Sequence, residues 1–259
     1  MVTMIDDIVS LAERAGEEVL RHYQGSAPVR LKDDRSPLTV ADEASHECIV
    51  SGLADLDPGV PIVSEEGAIP PWAERKGWER FWLVDPLDGT KEFIHGNGEF
   101  TVNIALIEQG RSVLGVVLAP AMQLCFTATA GGGAWRRNGS GEPIAIRVSG
   151  RAATDPLVVA ESRSHPSPEL ETYLDGLTVA DRVQAGSSLK FCWVADGTAD
   201  VYPRLGPTME WDVAAGHCVA AEAGASVLGL RYNGPDLRNG PFVVGPEGLP
   251  DPATAGHGG

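Results

Sequence analysis

Basic residues are scarce in this chain, paired cysteines are missing, and no apolar run reaches the length of a membrane span. Each shortage excludes something. The 20 Lys and Arg against 36 Asp and Glu leave a formal charge of -16 at pH 7. A nucleic acid polymer is bound largely by releasing counterions to clustered cations, so no such partner is expected. A small phosphorylated ligand stays open, provided a cation shields it from the carboxylates, and a divalent metal would do that. Cys48, Cys125, Cys192 and Cys218 stand singly in apolar segments, with neither a CxxC pair nor a histidine at zinc spacing. They read as buried free thiols. No stretch of about 18 apolar residues occurs, so no transmembrane segment is expected. The opening "MVTMIDDIVSLAERAGEEVL" carries acids where a signal peptide needs a basic region, and the chain reads as cytoplasmic. Internal repeats, a GxSxG elbow, a Walker A loop and a reactive-cysteine motif are also missing. His22, His46, His95, His217 and His257 show no metal-ligand spacing.

What is present is an ordinary globular pattern: 259 residues, 43% of them hydrophobic, enough for one large domain or two small parts sharing a core. Residues 4 to 24 place Ile5, Ile8, Val9, Ala12, Ala15, Val19, Leu20 and Tyr23 on one helical stripe. "SPLTVADEASHECIVSGL" reads as a second helix, with Pro37 at its approach, Thr39 as candidate N-cap and Asp42 three residues on in a capping-box position. The short strand "VPIVS" runs into Glu65 and Glu66. From residue 80 to 148 the runs "RFWLVD", "FTVNIALI", "SVLGVVLA", "QLCFTATA" and "EPIAIRV" predict an antiparallel sheet, the "GGG" of residues 131 to 133 being a turn. Thereafter strands "PLVVAE" and "ADVYP" alternate with helices "SPELETYLDGL", "SLKFCWVADG" and "WDVAAGHCVAAEAGA", an α/β pattern. The expectation is an N-terminal α+β part over 1–150 packed on a C-terminal α/β part over 151–259. A ligand site belongs in their seam, and the tail "GPEGLPDPATAGHGG" should be mobile.

The chemistry centres on "FWLVDPLDGTKEF". Asp, Pro and Gly make β-turns by local hydrogen bonding and φ preference, so DPLDG has an ordinary structural reading. Its position gives it another. An apolar strand delivers Asp85 to its C-terminal end, where sheet proteins place ligands. Pro86 fixes one φ and Gly89 permits an unusual one, so Asp85, the Leu87 carbonyl and Asp88 can converge. Two carboxylates and a carbonyl suit Mg²⁺, which keeps positions for water and phosphate. A helix starting near Thr90 would add backbone N–H donors. Glu65 and Glu66 end another strand, and bound cations would remove the repulsion between two acidic strand ends. Asp212 stands where a helix begins, as a cap or a ligand. "SRSH" (Ser162, Arg163, Ser164, His165) and "GSSLK" (Gly186, Ser187, Ser188, Lys190) can hold a phosphate or sugar, or serve only as loops and caps.

Taken in order, "SEE", "WLVDPLDGTKEF" and "WDVAAGH" resemble the inositol monophosphatase superfamily of Mg²⁺-dependent, lithium-sensitive phosphatases. Within it, "DPLDGTKEFIHGNGEFTVNIALIEQGRSVLGVV" with "SRSH" and "GSSLKFCWVADGTADVYPRLGPT" is similar to the bacterial CysQ-type 3'(2'),5'-bisphosphate nucleotidases. Inositol monophosphatases usually carry "GTTNF" where this chain has "GTKEF", so Lys91 and Glu92 favour the nucleotidase branch. The resemblance implies an α/β (α+β) fold, a layered αβαβα sandwich. It further implies that Glu65, Asp85 and the Leu87 carbonyl hold one Mg²⁺ and that Asp85, Asp88 and Asp212 hold a second, with a looser third near Glu65 and Asp42. Thr90 with Asp42 would orient the attacking water, and Glu65 belongs to the same catalytic group. Glu65, Leu87, Asp88, Gly89, Thr90, Lys91 and Asp212 would line the reacting phosphate, while Ser162, His165, Gly186 and Lys190 would meet the nucleotide. The implied activity is hydrolysis of the 3'-phosphate of adenosine 3',5'-bisphosphate to AMP, in sulfur assimilation, with the sulfated analogue as a further substrate. The rivals are an inositol or sugar phosphatase with the same site and a metal-dependent nucleotide-binding protein without turnover. The implied location is the cytoplasm, with a peripheral seat at the cytoplasmic face of the inner membrane left open.

Overall fold

The computed structural model describes residues 3–23, 29–31, 37–164 and 168–253, without the side chains of 29–31, 37–39 and 168. The first expected helix is α1 (Met4–His22), begun by Asp6 accepting the Thr3 N–H at 2.9 Å. It buries Ile8, Leu11, Ala12, Ala15 and Val19, whereas Leu20 lies at the exposed margin of the stripe. A short antiparallel pair, β1 (Val29–Leu31) and β2 (Pro37–Thr39), leads to α2 (Val40–Leu56), which packs on α1. The Thr39 side chain, the expected cap of α2, lies outside the described residues.

Seven strands then form one sheet in chain order. They are β3 (Ile62–Ser64), β4 (Arg80–Asp88), β5 (Thr101–Glu108), β6 (Arg111–Ala119), β7 (Leu124–Thr129), β8 (Gly133–Asn138) and β9 (Ile144–Ile146). The short helices α3 (Trp72–Arg75) and α4 (Thr90–His95) flank β4. The pairing is antiparallel as expected except at β3 and β4, which run parallel. Period-two alternation divides the core: Trp82 and Val84 of β4 face α1 and α2, and Phe81 and Leu83 face the opposite side. With both faces covered, the central strands read as nearly unbroken apolar runs.

The rest of the chain comprises β10 (Leu157–Ser162), α5 (Pro168–Leu174), β11 (Val179–Ala185), α6 (Leu189–Ala195), β12 (Tyr202–Arg204), β13 (Thr208–Met209), α7 (Glu210–Glu222), β14 (Ser226–Leu228), β15 (Arg238–Asn239) and β16 (Phe242–Gly245). Residues of α6 and α7 share a core with Phe81 and Leu83. The small residues Ala214, Ala215, Gly216 and Ala220 let α7 lie buried between layers. Beyond these helices β10 pairs parallel with β11, and Val159 bridges to Val201 beside β12, which continues as β12-β16-β14. Leu170, Tyr173 and Leu174 of α5 close the far side against Leu157, Val159 and Val243. The layers run helix, sheet, helix, strands, helix, which is the expected αβαβα sandwich.

Two expectations change. The segment after Gly245 is anchored: Leu249 is buried with α5, and the Tyr173 hydroxyl donates to the Pro250 carbonyl at 3.0 Å. Residues 254–259 lie outside the described residues. β8 and β11 were hidden from hydrophobic patterning, the first by its glycines and arginines, the second by its exposed polar residues. All four cysteines are free, three buried and Cys48 partly so. Among the described residues no helix is long and apolar enough to cross a membrane.

Candidate active site

The stretch DPLD is a bulge at the end of a strand. β4 continues to Asp88, and its pairing with β5 slips, Asp85 facing Asn103 and Asp88 facing Thr101. Residues three apart in a regular strand point to opposite faces; one extra residue on the bulged side turns both to the same face. Pro86 has no N–H to lose there. The bulge is pinned from within by the Leu87 N–H donating to Asp85 Oδ1 at 3.1 Å and from α2 by the Ser45 hydroxyl on the Pro86 carbonyl at 2.8 Å. Gly89 then takes φ +89°, a left-handed conformation, and a Cβ there would collide with Ser187 Oγ.

Parallel pairing of β3 sets Ser64 opposite Val84, and the Glu65 N–H bonds the Val84 carbonyl at 3.1 Å, so Glu65 follows beside Asp85. From across the layer α7 supplies Asp212. Its position is resolved as the third residue of that helix: Oδ2 accepts the Met209 N–H at 2.9 Å, which fixes the side chain. Carboxylate oxygens of Glu65, Asp85 and Asp212 lie within 4.8 Å of one another. Burial, then the charges of Glu65, Asp88, Asp212 and Asp42, push the Asp85 carboxyl well above the usual carboxylate range. Burial followed by Asp88 and Glu65 does the same to Asp212. Hard oxygen donors converging under mutual repulsion fit a divalent cation, which would remove that repulsion.

Asp88 is outside this closest trio and has its own partners. Burial first, with Glu65 adding, raises its carboxyl to about 6, although Lys190 and the Ser188 hydroxyl favour its ionised form. Ser188 Oγ lies 3.2 Å from Asp88 Oδ2 and donates to the Asp212 carbonyl at 2.7 Å, while Asn103 Nδ2 donates to Ser188 Oγ at 3.0 Å. Buried Lys190 donates to the Ser187 and Ala185 carbonyls at 2.6 and 3.2 Å, and burial lowers its ammonium to about 8. Lys190 therefore braces the loop entering α6. Thr90 opens α4 with its hydroxyl 3.5 Å from the Leu87 carbonyl, and Asp42 is buried near the start of α2.

Among the expected nucleotide contacts, Ser162 ends β10 and Gly186 follows β11, paired neighbours in register Ser162 to Ala185. His165 lies outside the described residues. Arg163 is committed to Glu99 through two nitrogens, both at 2.8 Å. Lys91 is exposed, whereas Glu92 beside it is buried. Asn103, Ser45 and Glu99 could not be read from the sequence; their partners lie far along the chain, and only the register of β4 with β5 could have flagged Asn103.

The inositol monophosphatase family model matches residues 2–257. The chain belongs to that family. It is 51% identical over 228 residues to the 3'(2'),5'-bisphosphate nucleotidase CysQ of Escherichia coli K12, covering 86% of this chain and 89% of that protein. With the CysQ of Buchnera aphidicola it is 43% identical, over 86% of this chain and 83% of that one. Among solved structures it is similar to CysQ from Bacteroides thetaiotaomicron, described as a bacterial member of the inositol monophosphatase family, with a TM-score of 0.79 and 41% identity over 93% of this chain and 96% of that one. An inositol monophosphatase from Thermotoga maritima matches with a TM-score of 0.76 at 26% identity, over 93% and 91% of the two chains. Family members are metal-dependent phosphatases, and the acidic cluster can bind metal.

Proposed function

We propose that the protein is a 3'(2'),5'-bisphosphate nucleotidase that hydrolyses the 3'-phosphate of adenosine 3',5'-bisphosphate to AMP and phosphate, with the sulfated analogue as a second substrate. Likeness to the CysQ nucleotidases over most of the chain selects the nucleotide. The observation that carries the reaction is the convergence of Glu65, Asp85 and Asp212 from three separate elements within 4.8 Å. In this reading Glu65, Asp85 and the Leu87 carbonyl hold one Mg²⁺ and Asp85, Asp88 and Asp212 a second, with a looser third near Glu65 and Asp42. Cations held by these residues would supply activation of a water and stabilisation of the leaving oxygen in an in-line displacement. Thr90 and Asp42 would orient that water and take up its proton as the new P–O bond forms and the bond to the ribose 3'-oxygen breaks, that oxygen gaining a proton from solvent to leave as the 3'-hydroxyl of AMP. Gly89 and Lys91 line the reacting phosphate.

Ser162, His165, Gly186 and Lys190 are assigned to the nucleotide by the same likeness. A cavity of about 130 Å³ beside Ser162, lined also by Gln184, Tyr202 and Arg204, lies wholly within the part after residue 150. The sulfur-assimilation role follows from the same likeness. The test is phosphate release in Mg²⁺ from adenosine 3',5'-bisphosphate, inositol 1-phosphate and fructose 1,6-bisphosphate, with preference for the nucleotide expected. A preference for inositol 1-phosphate overturns the substrate assignment and leaves the metal site standing.

A further inference from the structure

Two glutamates in the segment joining the bulge to β5 gather loops that come from the other half of the chain. Glu92, in α4, is 3% exposed and accepts a hydrogen bond from the Ser164 hydroxyl beyond β10. Glu99, just before β5, receives the Arg163 guanidinium in a two-pronged pair, Nε to Oε2 and Nη2 to Oε1, each at 2.8 Å. The same Oε2 accepts the Gly186 N–H at 2.8 Å. The Ser187 hydroxyl lies 2.8 Å from both the Glu99 and the Asp88 carbonyl oxygens. Both loops of the nucleotide side therefore hang on two carboxylates, neither of them in the acidic cluster.

The geometry leaves little slack. A planar guanidinium facing a carboxylate fixes angle as well as distance. A Cβ on Gly186 would lie 2.5 Å from Glu92 Cγ and 2.7 Å from the Glu99 carbonyl oxygen, so the loop after β11 sits directly on this bracket. Arg163 has two of its nitrogens on a protein carboxylate, so its charge is spent on the bracket.

We infer that Glu99, with Arg163 and Glu92, is a positioning residue for substrate specificity. It sets the distance from the bulge to the loops 162–164 and 186–190, and so favours a ligand with two separated anionic groups over a simple phosphomonoester. This rests on the bisphosphate reading above. Of the two letters of "GTKEF" that favour the nucleotidase branch, Lys91 is exposed and Glu92 is the buried one that joins this bracket.

The full-length protein in saturating Mg²⁺ is assayed on adenosine 3',5'-bisphosphate and on p-nitrophenyl phosphate, which has no second anion. Arg163→Ala and Glu99→Ala are expected to raise KM for the bisphosphate roughly tenfold with kcat within about twofold, and Glu99→Ala to leave both constants for p-nitrophenyl phosphate within about twofold. The double variant should be no worse than the worse single one, because both break one clamp. Glu99→Gln, which can still accept the Gly186 N–H, should fall between wild type and alanine. Equal losses on both substrates, or no loss on either, overturn the positioning role. A wild-type protein that does not prefer the bisphosphate over inositol 1-phosphate overturns the nucleotidase reading and the inference with it, so the two failures are told apart by the wild type alone.

Discussion

Replacing Asp85 by asparagine should move activity and metal-free stability in opposite directions. Asp85 is 1% exposed, and its carboxylate oxygen lies within 4.8 Å of those of Glu65 and Asp212. Two unit charges at that distance repel by about 3.5 kcal/mol at an effective dielectric of ~20. Burial and the neighbouring charges hold the carboxyl well above the usual range, so protonation already relieves part of this and the variant gains less than that figure. Asparagine has the same shape and can still accept the Leu87 N–H that Asp85 holds at 3.1 Å, so the bulge survives. In EDTA the variant should melt roughly 4–8 °C above wild type by scanning calorimetry. Added Mg²⁺ should raise the wild-type Tm and leave the variant nearly unmoved. Phosphate release should fall at least about 1,000-fold. A variant that melts below wild type in EDTA, or that keeps near-normal turnover, refutes the cation-site reasoning.

Gly186→Ala should destabilise by about 1–3 kcal/mol, because one of the three atoms its Cβ would meet is the Glu99 carbonyl oxygen, which cannot swing away. Calorimetry on the variant checks this, and an unchanged Tm would show that the loop has room. The metal-free protein should also lose stability as pH rises from about 4 to 6. The Asp88 carboxyl is raised from 3.8 to about 6 by burial, so the folded state keeps a proton that the unfolded chain has released. The stabilisation is fully present below about pH 4 and is lost as pH passes about 6, by roughly 3 kcal/mol. The difference in Tm between wild type and Asp88→Asn, followed across that range in EDTA, isolates the group. A flat difference contradicts the assignment.

Much of the fold could be read from local signals, because the stripe of α1, the apolar runs of β4 to β7 and the small-residue helix α7 each bury a face that their periodicity announces. β8 could not, since Arg136 and Arg137 belong there only by pairing with Asp196 and Glu13, both remote in sequence. The candidate site divides the same way. The acids stood out as residue types, but the sequence suggested a turn where the pairing of β4 with β5 produces a bulge. Asp212 looked like a cap or a ligand, and it is a capping residue whose carboxylate also lies in the acidic cluster. Glu92 was marked only through the family resemblance and Glu99 not at all, because a bracket is a relation between loops separated by more than 60 residues.

The capping of α7 by Asp212 bears on how the protein folds. The residue is aimed correctly only after α7 has formed, and it meets Glu65 and Asp85 only after that helix has docked on the sheet. The three acids are 127 residues apart at the nearest pairing across the layer, Asp85 with Asp212, so closing that loop belongs to late, non-local assembly. A cation held there binds the finished fold and little that precedes it. Mg²⁺ should therefore slow unfolding while leaving the refolding rate almost unchanged, and its release would be an early event when the molecule opens.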